Sequence, residues 1–453
     1  MIPKFAVVGH PNKGKSTIVA ALAMDDSVAI SDMPGTTTKA TTYPLTIDSR
    51  VIYELIDTPG FQRPRAVLEI LQKERVPAHK RDMVLKEFVE QNSNNPKFAD
   101  DIELLKPIVE GAGIIYVVDA SRPYSVEFEL DMQILSYSGA PTMAILNFID
   151  NSDYSKEWQD VLKHYFKITK RFNPMVADIN EYIDLLSAIG HLNESWQDSI
   201  KESIKLFKRL YDDRLKDSAR VISELIFWSM SHTKKVTIKE DTQDIREKLE
   251  SDFKADLVKK EQSSFKKIKE IWDHNRVKIE QKGFALDYLE LFSKESQEYF
   301  GLTQKELISY SATLGAVVGA GVDAAFLGHT LLLGAAVGAI GGAVAGYFGL
   351  EKLTDIKVLG FSIAKKELVI GPIKSINFAF VLLNRALLYT KVVSKLSYAK
   401  KGQIDIKEDA NILSQSQKKS LFKMHKKIVD GKNLDIIKRE YQELLYQILK
   451  EEL

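Results

Sequence analysis

Apolar and polar positions alternate with different periods in different parts of the chain. Phe5 to Val8 is an unbroken apolar run closed by Gly9, the pattern of a short strand buried on both faces. Strand-like runs recur at Val51–Ile56, Gly113–Asp119 and Pro141–Leu146, while Ile18–Ala23 has the spacing of a helix. That succession predicts, for residues 1–192, an α/β unit with a mostly parallel sheet and flanking helices. A charged stretch from about 63 to 110 is too long for a tight connection and reads as an insertion. It holds helical patterns at Val67–Leu71 and Asp101–Leu105, on either side of the polar Gln91–Pro96.

From about Asn193 the apolar step becomes three and four, with Ile204, Phe207, Tyr211 and Leu215 on one helical face. Residues 193–306 therefore read as a charged helical region, 307–350 as a Gly/Ala-rich apolar helical hairpin, and 351–453 as a basic helical region. The C-terminal part is thus predicted to be all-α. Gly315 and Gly319, then Gly334, Gly338, Gly342 and Gly346, recur four apart, a spacing that lets helix backbones approach closely.

Composition narrows the class. A chain of 453 residues, 45% hydrophobic and 28% charged, is long enough for two or three domains with full cores, and is neither a disordered nor a fibrous polypeptide. With no cysteine, thiolate metal sites, cysteine nucleophiles and disulfides are excluded, which fits a reducing compartment. The net charge of +1 conceals a segregation: residues 1–200 carry 20 basic against 28 acidic side chains, and residues 351–453 carry 20 against 12. Residues 201–306 are dense in mixed charge and fit solvent-facing helices better than a nucleic-acid patch. The N-terminus lacks a secretory leader pattern, so a cytoplasmic start is expected.

The candidate chemistry begins where the first strand ends. Gly9-His10-Pro11-Asn12-Lys13-Gly14-Lys15-Ser16-Thr17 lies between strand and helix, the context a G-x-x-x-x-G-K-S phosphate loop requires. Gly9 and Gly14 permit backbone angles and close approach that a Cβ would block, so successive N–H groups can converge on phosphate oxygens. The helix start adds its dipole. Lys15 offers a point charge to the β- and γ-phosphates, and the Ser16 hydroxyl a ligand for Mg²⁺. Downstream, Pro34-Gly35-Thr36-Thr37-Thr38 forms a turn rich in hydroxyls that can supply a second Mg²⁺ ligand from a mobile loop. Asp57-Thr58-Pro59-Gly60 follows a strand; its carboxylate can hold the Mg²⁺ water shell and the Gly60 N–H can meet the γ-phosphate.

These three motifs, in this order, resemble the TrmE and Era group of P-loop GTPases. The resemblance implies GTP and GDP as ligands, hydrolysis of GTP, and Mg²⁺ held by Ser16, Thr37 and Asp57. It makes Thr37 the switch threonine, with Thr36 and Thr38 as competitors, and it places Lys15, Asn12 and Thr37 at the reaction. Asn12 matches an asparagine that, in potassium-activated members, helps hold K⁺ beside the phosphates; a loop-bracing amide is the alternative. Asn147-Phe148-Ile149-Asp150 stands where the group has N-K-x-D. Asp150 keeps the carboxylate for guanine N1 and N2, Asn147 can brace the loop, and Phe148 replaces the lysine, so a ring could stack where the lysine stem lies. Phe172-Asn173-Pro174-Met175 is the only candidate for the group's S-A-x element. Phe61 follows Gly60 and cannot orient a water, so low intrinsic hydrolysis with activation on assembly is implied, with a homodimer through this domain as one route.

Further along, Leu146-Asn147-Phe148, Gly319-Ala320-Gly321-Val322-Asp323 and Phe378–Tyr389 resemble bacterial GTPases fused to a C-terminal domain of unknown function. The expected role is a molecular switch controlling a helical effector domain. Residues 324–350 carry no charge and could span a bilayer, with Asp323 and His329 near a bend. A membrane-inserting hairpin and a hairpin buried in a soluble bundle both explain them. An anionic membrane surface meeting 307–453 is one expected partner, which would place the protein peripherally or integrally at an inner membrane. The rival readings are a membrane-interaction scaffold with residual nucleotide binding and an Era-like RNA- or ribosome-associated GTPase. Nucleic acid is the less expected partner, since no G-x-x-G loop of the KH type stands between strand and helix.

Overall fold

A computed structural model describes residues 2–25, 27–28, 37, 39–73, 75–273, 291–312, 351–353, 356–358, 361–363, 366–396, 412–431 and 433–453. The Gly-rich hairpin from 313 onward and Pro34, Gly35, Thr36 and Thr38 lie outside the described residues. The described residues divide into two compact units, a first made of those up to Tyr211 together with Lys395 and Leu396, and a second made of those from Asp212 to Ser394 and from Ile412 onward.

The first unit is built on six strands: β1 (Lys4–Val8), β2 (Thr41–Ile47), β3 (Arg50–Asp57), β4 (Gly113–Asp119), β5 (Thr142–Asn147) and β6 (Ile168–Arg171). Their order is β2-β3-β1-β4-β5-β6, with β2 antiparallel at one edge and the other five parallel. The register sets Val7 beside Asp57, Val8 beside Tyr116 and Asp119 beside Asn147. The carboxyl ends of four strands therefore finish along one edge, where open α/β sheets bind ligands.

Alternation along the strands fills two layers. Ala6, Val8, Ile114, Tyr116 and Val118 pack on one face, with Leu104, Leu105 and Trp158. Phe5, Val7, Ile115 and Val117 pack on the other, with Ile18, Leu22, Phe172 and Trp196. Burial on both faces is why these strands read as continuous apolar runs. Helices α1 (Lys15–Ala23), α2 (Pro64–Leu71), α3 (Arg81–Gln91), α4 (Ala99–Val109), α5 (Glu127–Ser136), α6 (Ser155–Leu162) and α7 (Ile179–Gly190) flank the sheet. The insertion supplies α2 and α3 to the first layer through Val67, Leu71, Leu85 and Phe88, and α4 carries the chain back into β4. Asp178 and Glu181 close a capping box that starts α7.

Helix α8 (Gln197–Ser231) carries the period-three-and-four face expected after Asn193. The second unit is mainly helical and also contains strands that helical periodicity did not anticipate. Strand β7 (Lys234–Ile238) pairs antiparallel with β11 (Lys366–Ile370), which pairs with β8 (Glu351–Leu353); β9 (Ile356–Val358) pairs with β10 (Phe361–Ile363). The alternation of Lys234, Val236 and Ile238 spans only five residues of a densely charged stretch, too few to stand out. The remaining helices are α9 (Gln243–Ile271), α10 (Lys294–Phe300), α11 (Gln304–Ala312), α12 (Ile376–Ser394), α13 (Gln415–Val429) and α14 (Leu434–Glu452). The core of this unit is α12: its Phe380, Val381, Leu382, Leu383 and Leu387 are fully buried. Most of its polar groups are matched: Arg385 grips Glu261 at 2.7 and 3.1 Å, Asn384 donates to the Phe300 carbonyl while its Oδ1 stays buried without a partner, and Asn377 accepts from the Leu302 N–H.

Candidate functional site

The loop from Gly9 to Thr17 leaves β1 at the carboxyl edge and turns into α1 through backbone angles that its glycines supply. Gly9 has φ 145° and Gly14 φ 86°; a Cβ on Gly9 would lie 2.4 Å from the Val117 carbonyl oxygen, and one on Gly14 2.3 Å from Asn147 Nδ2. Asn12 adopts φ 58°, a left-handed conformation that asparagine tolerates better than most residues. Gly14 stands at the N-cap of α1 and offers no side-chain cap, so the N–H groups of the first turn face the loop uncapped. Pro11 packs against Gly60, whose added Cβ would meet the proline ring at 2.7 Å, and Thr58 donates to the Val7 carbonyl at 2.7 Å. Loop 9–17 and segment 57–60 are thus locked to one another.

Lys15 is buried and donates to the carbonyl of His10 at 3.0 Å. Burial lowers its pKa to about 8, against the attraction of Asp57 and Asp131. Ser16 Oγ donates to Asp57 Oδ2 at 2.8 Å, and Thr37 Oγ1 reaches the same oxygen at 3.3 Å. Asp57 Oδ1 is buried without a hydrogen-bond partner, and burial pushes the carboxyl up, opposed by Ser16, Lys15 and Thr37. Two hydroxyls around a carboxylate with a spare buried oxygen form an all-oxygen donor set, which suits Mg²⁺. Thr17 is half-buried in the first turn of α1. Lys13 Nζ lies 3.8 Å from Asp119 and over the Phe128 ring.

The His10 ring packs on Phe128, its centroid 4.3 Å away, and Nε2 is 3.2 Å from Oδ2 of the fully buried Asp131 on α5. That approach falls within ion-pair distance yet lacks hydrogen-bond geometry, and burial disfavours both charges, lowering His10 and raising Asp131 to about 8.

The neighbouring edge gathers the base-side residues. Asn147 is buried and donates to the Lys13 carbonyl at 3.1 Å, bracing the phosphate loop as its position at the end of β5 suggests. Asp119 accepts from both the N–H and hydroxyl of Ser121, a loop-bracing role, and Ser121 in turn accepts from the Asp150 N–H. The Asp150 carboxylate, half exposed, takes a hydrogen bond from Arg122 at 2.9 Å. Phe148 has the Arg171 guanidinium 4.6 Å above its ring, and Arg171 is fixed by Asp153 and Ser155. One face of the ring expected to stack on a base is therefore covered by a cation. Phe172 is buried under β5, and Asn173 accepts from the Met175 N–H to form a turn. Phe61 is buried in the core, as an apolar residue at that position should be.

Several residues at this edge escaped the sequence reading. Asp101 and Glu103 on α4 accept backbone N–H groups from the segments after Gly60 and Thr37. Arg122, Asp131 and Arg171 are the others. The local signal for Asp101 was an acidic first turn, common to many helices.

Residues 4–148 match the family described as 50S ribosome-binding GTPase, and residues 159–444 match the domain of unknown function DUF3482. Among curated proteins, GTPase Der of Aromatoleum aromaticum is 30% identical over 189 residues, 42% of this chain and 36% of that one. GTPase Der of Pseudoalteromonas atlantica is 26% identical over 222 residues, 48% of this chain and 39% of that one. The chain thus spans well under half the length of these relatives. A crystal structure of Era in complex with MgGDPNP and nucleotides 1506–1542 of 16S ribosomal RNA matches at 20% identity, 38% of this chain and 51% of that one, with a TM-score of 0.27. A point variant of Aquifex aeolicus Era bound to GDP and AlF4⁻ matches at 16% identity, 49% and 67% coverage and the same TM-score; likeness at that level carries no argument. From the match over most of its length, together with the phosphate loop at the sheet edge, the chain belongs to the DUF3482 family, and its N-terminal α/β unit is a P-loop GTPase domain.

Proposed function

We propose that the first unit binds GTP and GDP along loop 9–17 and hydrolyses GTP as a switch whose state governs the helical second unit. The observation that carries this reading is the convergence of Ser16 and Thr37 on one oxygen of Asp57, which brings phosphate loop, switch loop and strand end to a single point. Gly9, His10, Pro11, Asn12, Lys13, Gly14 and Thr17 supply the backbone cradle, and Lys15 the charge for the β- and γ-phosphates. Ser16, Thr37 and Asp57 would hold Mg²⁺, which supplies charge neutralisation to the phosphates. Gly60 offers its N–H to the γ-phosphate. Asn147 holds the loop, and Asp150 accepts from guanine once Arg122 releases it.

Three finer parts of the reading rest on the sequence: K⁺ beside Asn12, a homodimer through the GTPase domain, and an anionic membrane surface met by 307–453. Contact with ribosomal RNA, which one Era structure contains, has less support in this chain.

Binding measured with fluorescent GDP and GTP tests the core of the proposal. Lys15→Ala is expected to abolish binding of both; normal GTP affinity in that variant would sink the assignment. ATP competing as well as GTP would remove Asp150 from base recognition.

A further inference from the structure

We propose that α4 is the common anchor of both nucleotide-sensing loops, with Asp101 and Glu103 as positioning residues for GTP hydrolysis; this rests on the reading of the site given above. Oδ1 of Asp101 accepts from the N–H of Gln62 at 3.0 Å and of Arg63 at 3.3 Å. Two residues further along the same helix, Oε2 of Glu103 accepts from the N–H of Ala40 at 3.0 Å. Gln62 lies two residues beyond Gly60, and Ala40 three beyond Thr37. Three residues of chain reach at most about 10 Å, so each group offered to the γ-phosphate or the metal is tethered close to α4.

The anchor is fixed. Leu104, Leu105 and Ile108 of α4 are buried in the sheet's apolar layer, whereas among the described residues the two loops contribute few apolar side chains of their own. Asp101 is fully buried, with Oδ2 lacking a hydrogen-bond partner, a placement that costs free energy where an apolar side chain would pack without penalty. What the carboxylate adds is an acceptor at a fixed point, aimed at two consecutive peptide N–H groups of the segment that must present Gly60. Pro11 presses on Gly60 from the phosphate loop, so this peptide is held from both sides. Phe61 cannot orient a water and sits in the core. Placement of the backbone here is therefore the contribution this segment can make to hydrolysis.

The test uses the full chain, with single-turnover hydrolysis of GTP and affinities for GDP and a non-hydrolysable GTP analogue. Asp101→Ala is expected to slow hydrolysis about 10- to 100-fold and to weaken the analogue, while GDP, which lacks the γ-phosphate, stays within about twofold. Asp101→Asn retains the Oδ1 acceptor and is expected to restore most of the rate. Glu103→Ala, at a partly exposed position, should show the same split between analogue and GDP in smaller degree, and it carries the test should Asp101→Ala fail to fold. Wild-type rates and an unchanged analogue-to-GDP ratio in the soluble variants would overturn the proposal, as would a parallel loss of both nucleotides. If the wild-type chain binds nucleotide yet does not turn GTP over, hydrolysis is struck from the reading, and the affinity ratio in the variants still decides the anchor.

Discussion

Lys15 is held away from water by the loop it serves, and burial brings its pKa to about 8. Phosphate oxygens would favour the charged ammonium, so binding takes up a proton wherever the free protein has lost one. GDP affinity should therefore be level from pH 7 to about 8 and fall above it, by up to about tenfold per pH unit. Titration calorimetry in buffers of different ionisation enthalpy checks both the slope and the proton uptake; a constant affinity from pH 7 to 9 would contradict it. Lys15, Ser16, Asp57 and Gly60 could be singled out in the sequence because each stands in a motif of fixed local spacing, and the fold brings these motifs together at one edge of the sheet. The pairing of Arg171 with Phe148 was not: the two residues belong to a loop and a neighbouring strand, and only the parallel register of β5 and β6 brings them together. Asp131 and Asp101 were hidden for a related reason, since a carboxylate on a helix reads as solvent-facing until the layer packed over it is known.

At the scale of elements, α12 shows how far periodicity reaches. Among the described residues it is the helix long and apolar enough to cross a membrane, and 94% of that apolar window is buried within the protein. The sequence placed it within a basic helical region; that it is the buried core helix of its unit emerges only from the fold. The decisive residue is Arg385, which sits with Glu261 of α9 in a bidentate pair where each side chain is 5% exposed. Arg385→Leu strands the Glu261 carboxylate and should cost about 3–5 kcal/mol, whereas the double change with Glu261→Leu should recover most of that loss. Denaturant unfolding of the three proteins measures it, and a double variant no more stable than the single one would refute the account. The strands β8 to β11 were missed because runs of three to five residues carry too few alternations to compete with a helical reading. The insertion was legible as helices, but its use of α4 to meet two loops depends on contacts 38 to 63 residues apart in sequence.

For the whole molecule, the two compact units carry buried ionisable groups of opposite pH response. In the first, burial raises Asp131 to about 8, so between the ordinary carboxylate range and pH 8 the folded state binds more protons than the unfolded chain. Its contribution to stability grows on acidification and is lost as pH rises towards 8. His10, lowered by burial, opposes this below about 6.5. In the second unit, His425 is fully buried between Phe380 and Tyr441, and burial lowers it to about 3. There the unfolded chain binds the extra proton, so stability is present above 6.5 and lost as pH falls through the window towards 3. Calorimetry of the full chain should then resolve two transitions. Saturating GDP should raise the first by mass action, worth about 2.7 kcal/mol at a hundred times the dissociation constant. Acidification from pH 7 to 5 should lower the second. His425→Phe leaves the Tyr441 hydroxyl short of a partner and costs about 1–3 kcal/mol, yet it should flatten that acid slope. Asp131→Asn should make the first transition less sensitive to pH between 6 and about 8 without touching the second. A single transition that GDP and acid shift together would mean that the units unfold as one, and an acid slope unchanged in His425→Phe would remove His425 as its source.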